Sequence, residues 1–362
     1  MMPDPLLRAE DYRPAYTSPH ADELGIAVVG CGNIAVEAHL PAYARYGYRV
    51  VAVCDVVPEK ARAAAERFGV PVWTDDLDVV LADPAVHVID LTVQPHQRLE
   101  PIKRAAAAGK HVLTQKPLAV SFDEAQAAVE LCESAGVVLM VNQQARWAAP
   151  HRALRVLVER GMLGHLYSVL HFYRDFQDFT GSWFVRMPYA TTLEHGIHYF
   201  DLTRYFTGRM PVRVKAAMTM TPGQLAVTPM IHTVLCEYEP DADLVATLHF
   251  NNIVRAAASH RYEWHLDGTH GSASATLDEL RFTRADTPDV QHVVPIEGRW
   301  YIDAFAASMA EMLDAVATGR PPVTSGRDHL QSLRLAFSAI RSFESGAAVE
   351  PLPGGSAGDR DA

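Results

Sequence analysis

A strand, a glycine turn, a helix and a second strand follow one another in residues 25–55, and few folds begin that way. The stretch opens Gly25-Ile-Ala-Val-Val-Gly30-Cys-Gly32-Asn-Ile-Ala35, runs on as a mixed helical segment to Tyr46, and closes Tyr48-Arg-Val-Val-Ala-Val-Cys-Asp55. An apolar strand feeding a Gly-x-Gly-x-x-Ala turn is how a dinucleotide-binding βαβ unit starts. Gly30 permits the tight turn and Gly32 lets backbone N–H groups come close to an anion. A helix opening at Asn33 or Ile34 points its positive end the same way. Ala35 takes the small position where helix meets sheet. Asp55 ends the second strand, where a carboxylate can accept hydrogen bonds from a ribose. These positions together imply a dinucleotide with its pyrophosphate on the turn. Val56-Val57-Pro58 follow Asp55 with no Arg or Ser to meet a 2′-phosphate, and the carboxylate would repel one, so NAD is expected over NADP. Lys60 weighs slightly the other way.

From Gly25 onward, strand-like and helix-like segments alternate. Helices are expected at 58–68, 97–108 and 121–135, the last opened by the capping-box spacing Ser121-Phe-Asp-Glu124, and Asp75 or Asp76 is placed to cap another. Strands are expected at 70–73, 86–92, 111–115 and 137–141. Six strands separated by helices specify a doubly wound parallel sheet. After Pro150 the rhythm changes to long β-branched and aromatic runs, at 166–176, 212–220, 230–238, 244–250 and 262–266, which read as a mostly antiparallel sheet. One helix, about 191–206, interrupts them, and two more, 300–318 and 325–345, close the chain. The expected organisation is an arm over 1–23, a dinucleotide-binding domain over 24–148, a second α/β domain over 149–353 and a disordered tail over 354–362.

The formal charge of -11 argues against nucleic acid and anionic membrane surfaces, which would repel the chain. No apolar run approaches the ~18 residues of a membrane span. The first 24 residues carry prolines and charges where a signal peptide needs an apolar core. Four cysteines without a C-x-x-C pairing suit reduced thiols in a cytoplasmic protein.

In an open parallel sheet, ligands bind beyond the carboxyl ends of the strands. There lie Thr92-Val-Gln-Pro95-His96 after the fourth strand and Thr114-Gln115-Lys116-Pro117 after the fifth. Thr92, Pro95, Gln115 and Lys116 are expected at the cofactor. Pro117 keeps Lys116 out of helical geometry, which aims the ammonium at the crevice and a substrate oxygen. A solvated loop lysine fits the same spacing. Asn142-Gln-Gln144-Ala-Arg146-Trp147 leaves the sixth strand at the same edge. Gln144 and Arg146 alternate onto one face, toward a nicotinamide carboxamide or a polyol, or else toward ordinary packing and an ion pair.

A second cluster is Leu193-Glu194-His195-Gly196-Ile197-His198-Tyr199-Phe200-Asp201. On a regular helix Glu194, His198 and Asp201 stand at i, i+4 and i+7, so two carboxylates flank an imidazole equipped to take a proton. A helix that buries Leu193, Ile197 and Phe200 and leaves its charges in water is the plainer account. His195 and His198 stand only three apart, with no cysteine partner, so no metal is expected. Tyr173, with Arg174, Asp175, Gln177, Asp178, Trp183 and Arg186, forms a polar aromatic stretch suited to a pocket wall or an exposed sheet face.

This ordered set resembles the glucose-fructose oxidoreductase and inositol dehydrogenase family (Gfo/Idh/MocA). Its carriers are the glycine loop Gly30 to Ala35, the segment Ala108-Gly-Lys-His-Val-Leu-Thr-Gln-Lys116-Pro-Leu-Ala119, the exit Arg146-Trp147-x-x-Pro150, the run Gly196-Ile-His198-x-x-Asp201, Gly268-Thr-x-Gly-Ser272 and Gly319-Arg-Pro-Pro322. The resemblance implies an N-terminal Rossmann domain and a C-terminal α/β domain with a large open sheet that serves as the interface of a homodimer or homotetramer. It implies hydride transfer between NAD(P) and a sugar, inositol or similar polyol. It places the active-site lysine on Lys116, the catalytic histidine on His198 and its acidic partner on Glu194. Arg146, Trp147, His195, Asp201 and Tyr173 are then expected toward the substrate. Three departures stand out: Gln115 where the family carries Glu, Glu194 where Asp is usual, and Val93-Gln94 where a threonine-proline pair is common. In this reading His198 takes the hydroxyl proton and Lys116 holds the oxygen. Two alternatives keep the fold: chemistry that recycles the cofactor to drive elimination, epimerisation or glycoside cleavage, and a cofactor-bound sensor without catalysis.

Overall fold

The computed structural model describes residues 7–177 and 179–353; Asp178 and the stretch read as a tail, 354–362, lie outside them. The contacts divide the chain into two compact units. One comprises Pro14–Ala148 with Arg299–Leu330, and the other comprises described residues 7–13, 149–298 and 331–353.

The first unit is built on six parallel strands: β1 (Ile26–Val29), β2 (Val50–Cys54), β3 (Val72–Thr74), β4 (Val88–Leu91), β5 (His111–Gln115) and β6 (Leu139–Asn142). They lie in the order β3-β2-β1-β4-β5-β6, which reverses at β1 and β4 as a dinucleotide-binding sheet requires. β1 and β4 are buried at every residue, which explains why they read as continuous apolar runs and not as alternating ones. Helices Pro58–Phe68, Leu77–Ala82, Leu99–Ala107 and Phe122–Ser134 link the strands. Asp76 caps the second of these through the Asp78 N–H (2.9 Å), and Ser121 caps the fourth through the Glu124 N–H (3.2 Å). The long helix Asp303–Thr318 follows all the strands of the other unit in sequence, yet Phe305, Met309 and Leu313 pack into one core with Val28, Leu40 and Tyr43. Tyr48 Oη ties it down by donating to the Ala306 carbonyl at 2.8 Å.

The second unit carries eight strands: β7 (Leu166–Arg174), β8 (Arg213–Thr219), β9 (Ile231–Glu237), β10 (Val245–Asn251), β11 (Arg261–Gly268), β12 (Gly271–Ala275), β13 (Glu279–Arg284) and β14 (Gln291–Pro295). Their order is β14-β13-β12-β11-β7-β10-β9-β8, antiparallel throughout except for the parallel pair β10 and β7. Helices Ala149–Glu159 and Ile197–Thr207 pack on one face, so residues along the strands alternate between more and less buried positions. β12, β13 and β14 have no counterpart in the sequence reading. β12 is Gly-Ser-Ala-Ser-Ala, and such small residues carry little β signal, while the alternation Leu280, Phe282 in β13 was the cue available.

Two helices depart from regular geometry. The helix after the glycine turn contains a π turn at Ala35–His39 before continuing as Leu40–Tyr46, and the helix of the second unit opens as a π turn at Thr191–Gly196 before Ile197–Thr207. A regular helix steps about 100° per residue, and that stepping does not hold across Glu194 to Gly196. The single-face register expected for Glu194, His198 and Asp201 therefore fails at its first member.

Candidate active site

The glycine turn has the geometry that its sequence demands. Gly30 holds φ at 97°, and a Cβ there would lie 2.8 Å from Val93 Cγ1 and 3.0 Å from Val93 N, so only glycine fits. At Gly32 a Cβ would meet no protein atom within 4 Å: the backbone there faces open space. Asp55 closes the turn from the other side. Its Oδ2 accepts the Cys31 N–H at 2.7 Å and its Oδ1 the Val57 N–H at 2.8 Å. Burial pushes the Cys31 thiol up to about 12 and so keeps it protonated beside this carboxylate. Thr92 Oγ1 bonds the carbonyls of Val29 and Gly30, joining the exit of β4 to the turn. Asn33 is exposed and Ile34 half-buried at the helix opening, and buried Pro95 starts the short turn Pro95–Gln97. Gln144 is buried, and its Oε1 has no hydrogen-bond partner among the described residues. An open backbone cradle, an acidic strand end and a buried amide oxygen in need of a donor fit a dinucleotide with a carboxamide at one end.

Lys116 follows β5, half-buried, before a cis bond to Pro117. Its loop is tied from both sides. Arg98, itself buried, reaches the carbonyls of Val93, Gln115 and Pro117 and so bridges the loops that leave β4 and β5. The Gln115 side chain, read from sequence as a cofactor contact, turns inward instead. Its Nε2 lies 2.6 Å from His39 Nε2 and its Oε1 accepts the Lys116 N–H at 3.2 Å. His39 Nδ1 in turn lies 2.7 Å from Asp90 Oδ2, which also accepts from Tyr43 Oη at 2.8 Å. Burial and the Asp90 charge hold the Tyr43 phenol well above its ordinary range.

In the second unit, Glu194 and His198 are both buried, on the π turn and on the first turn of the helix after it. Gly196 lets this helix lie on the sheet, for a Cβ would stand 3.0 Å from the Phe250 ring. His195 has both ring nitrogens engaged: Nδ1 with Asn252 Oδ1 at 3.0 Å and Nε2 with Tyr199 Oη at 2.9 Å. Tyr173 Oη donates to Asp175 Oδ2 at 2.9 Å and accepts from Gln177 at 3.1 Å, while Asp175 also meets His260 Nδ1 at 3.0 Å. Asp201 Oδ1 accepts from Ser332 Oγ at 2.8 Å and lies 3.7 Å from Arg204. Among the described residues no three His, Cys, Asp or Glu side chains gather as a metal site would need.

Two more residues expected toward substrate also have structural partners. Arg146 is buried and paired with Asp328 at 2.7 Å, the ion-pair alternative for that position, and Trp147 packs in the core of the first unit. The sequence reading passed over His39, Asp90, Arg98 and Asn252. Asp90 offered a signal, because a carboxyl group inside the apolar run Val88-Ile-Asp-Leu91 must find a partner.

Residues 24–143 match the oxidoreductase family with an NAD-binding Rossmann fold, GFO_IDH_MocA, and residues 151–274 match the GFO/IDH/MocA C-terminal domain. The chain belongs to this family of oxidoreductases. It is 26% identical over 345 residues to a D-apiose dehydrogenase of Rhizobium rhizogenes, covering 91% of this chain and 97% of that one. It is 23% identical over 315 residues to the NAD+-dependent scyllo-inositol 2-dehydrogenase of Bacillus subtilis, covering 84% and 89%. Its fold matches that of an oxidoreductase from Agrobacterium radiobacter in complex with NAD+, L-tartaric acid and magnesium, with a TM-score of 0.82, 22% identity and coverage of 91% and 98%.

Proposed function

We propose that this protein is an NAD-dependent dehydrogenase that moves hydride between the nicotinamide and a secondary alcohol or ketone of a sugar, inositol or similar polyol. The observation that carries the reading is the pairing of a glycine cradle open at Gly32 and closed by Asp55 with a lysine fixed on the next loops of the same sheet. The relatives named above, dehydrogenases of D-apiose and of scyllo-inositol, support the substrate class. Gly30, Gly32, Asn33 and Ile34 would hold the pyrophosphate, Asp55 the adenosine ribose, Thr92 and Pro95 the wall of the crevice, and Gln144 the carboxamide. Bound there, NAD supplies the hydride acceptor. Lys116 holds the substrate oxygen and stabilises its charge as the carbonyl forms. His198 takes the hydroxyl proton, with Glu194 tuning it and His195, Asp201 and Tyr173 shaping its surroundings. Gln115 and Arg146 support the site from behind.

Lys116→Ala and His198→Ala test this directly. Each is expected to lower kcat by about a hundredfold or more while NAD still binds, as loss of a general base or an oxyanion contact does. Wild-type turnover in both would leave the cofactor reading standing and remove the catalytic one.

The homo-oligomer belongs to the same reading. Its support is the sheet face opposite the helices, where Leu170, Val245 and Val293 stand exposed, and sedimentation that finds a monomer would refute it. A cytoplasmic location rests on four buried, unbridged cysteines, and cell fractionation checks it.

A further inference from the structure

Asp90 lies at the centre of the parallel sheet, with β1 on one side and β5 on the other, and its carboxyl group is 0% exposed. Burying a carboxyl without partners costs several kcal/mol. Here Oδ2 receives both His39 Nδ1 and Tyr43 Oη. The first of these contacts fixes the next link. With Nδ1–H directed at Asp90, Nε2 of His39 presents a lone pair, and the Gln115 amide N–H donates to it across 2.6 Å. The Gln115 oxygen is then the atom that accepts the Lys116 N–H. With the ring in this tautomer, this orientation of the amide gives both Gln115 and the Lys116 N–H a matching partner, and Asn142 Nδ2 stands farther off, 3.4 Å from the same ring nitrogen. Turning the amide over would set its oxygen against the lone pair and its NH2 against the Lys116 N–H, and both contacts repel.

We propose that Asp90 is a positioning residue for hydride transfer: through His39 and Gln115 it holds the Lys116 backbone in the place from which the ammonium serves the substrate oxygen. The proposal rests on the reading of Lys116 given above. Neither Asp90 nor His39 need touch substrate or cofactor for this. The π turn at Ala35–His39 brings the imidazole onto the sheet, and the fourth member of the chain is the N–H of Lys116 itself. Arg98 fastens the carbonyls on either side of that N–H, so the amide link completes the fixation of the loop.

The chain of hydrogen bonds has a mirror image with the same number of carboxyl groups. In the double variant Asp90→Asn with Gln115→Glu, the ring accepts at Nδ1 from the new amide, whose second N–H turns to Tyr43 Oη as an acceptor, and donates Nε2–H to the new carboxylate, which still accepts the Lys116 N–H. Asp90→Asn alone breaks the pattern by leaving the ring without a carboxylate, whereas Gln115→Glu alone sets carboxylates at both nitrogens, which a ring donating from both can satisfy.

The experiment measures NAD affinity, thermal midpoint, and kcat and KM on the full chain, using whichever of D-apiose, scyllo-inositol and levoglucosan forms NADH fastest. Asp90→Asn is expected to lower kcat by roughly tenfold or more, the cost of misplacing a catalytic group from a distance, with NAD affinity little changed, while Gln115→Glu alone is expected to lose less, because a ring donating from both nitrogens satisfies both carboxylates. The double variant is expected to recover most of the loss, which a merely stabilising role for Asp90 does not predict. Gln115→Met, which removes the amide and leaves Asp90 untouched, is expected to show the same loss and stands in if Asp90→Asn fails to fold. Wild-type kcat in Asp90→Asn or Gln115→Met, or a double variant no better than Asp90→Asn, overturns the proposal. Lys116→Ala measured alongside keeps the two readings apart: if it is inactive while the relay variants are normal, only the relay fails, and if it is active, the assignment of Lys116 fails.

Discussion

Asp55 Oδ2 accepts the Cys31 backbone N–H at 2.7 Å, so the residue that follows β2 also braces the turn between the two glycines. One carboxylate thus serves the ribose site and the loop beside it. Asp55→Ala is expected to weaken NAD binding by roughly tenfold, the worth of one charge-assisted hydrogen bond, and to narrow the preference for NAD over NADP. Titration of both cofactors into wild type and variant checks this, and an unchanged preference would remove Asp55 from the ribose site.

The two glycines of the turn separate folding from binding. Gly30→Ala meets Val93 and requires a positive φ, so it is expected to cost about 1–3 kcal/mol of stability. Gly32→Ala meets nothing in the protein, so its denaturation midpoint should stay near wild type while NAD affinity falls, because the new methyl group occupies the approach to the pyrophosphate. Urea unfolding and NAD titration on both variants check the contrast, and equal NAD affinity in Gly32→Ala and wild type would contradict it.

Arg98 is buried and reaches three backbone carbonyls on two loops. Arg98→Met leaves those carbonyls unpaired and is expected to cost about 3 kcal/mol, together with a fall in kcat as the Lys116 loop loosens. Arg98→Lys keeps the charge but not the fork, so an intermediate loss is expected. Chemical denaturation and initial rates measure both, and full stability in Arg98→Met would show that the clamp is idle.

His232 lies under the sheet, stacked on Phe250 and 2.9 Å from Thr192 Oγ1, and burial pulls its pKa down to about 3. The unfolded chain, where histidine titrates near 6.5, binds this proton first, so the folded state loses stability as pH falls from about 6.5 toward 3. His232→Gln removes that proton. Between pH 6 and 4 its stability is expected to fall less steeply than that of wild type, by up to about 1.4 kcal/mol per pH unit. Parallel slopes would show that His232 does not carry the linkage.

The parts of this molecule that were legible in the sequence are those decided within a few residues. The turn from Gly30 to Asp55 could be read because a tight turn, an open backbone and a strand-end carboxylate are each local requirements. The membership of Asp303–Thr318 in the nucleotide-binding core could not, since it depends on where a distant apolar face finds its partner. Gln115 looked like a cofactor contact by position. Its inward turn is set by His39 and Asp90, 76 residues before it and on the neighbouring strand, and no spacing rule encodes that meeting. The same limit applies to Glu194, whose i, i+4, i+7 register belongs to a regular helix that the π turn replaces.

Net hydride transfer from a polyol to NAD is the activity proposed for this site. Incubating the protein with NAD or NADP and a panel of sugars, inositols and anhydro sugars, while following reduced nicotinamide and the oxidised product together, measures it most directly. One NADH per molecule of ketone formed is expected for at least one secondary alcohol, faster with NAD than with NADP. Substrate converted without accumulation of NADH, the cofactor remaining bound and recycled, would contradict it.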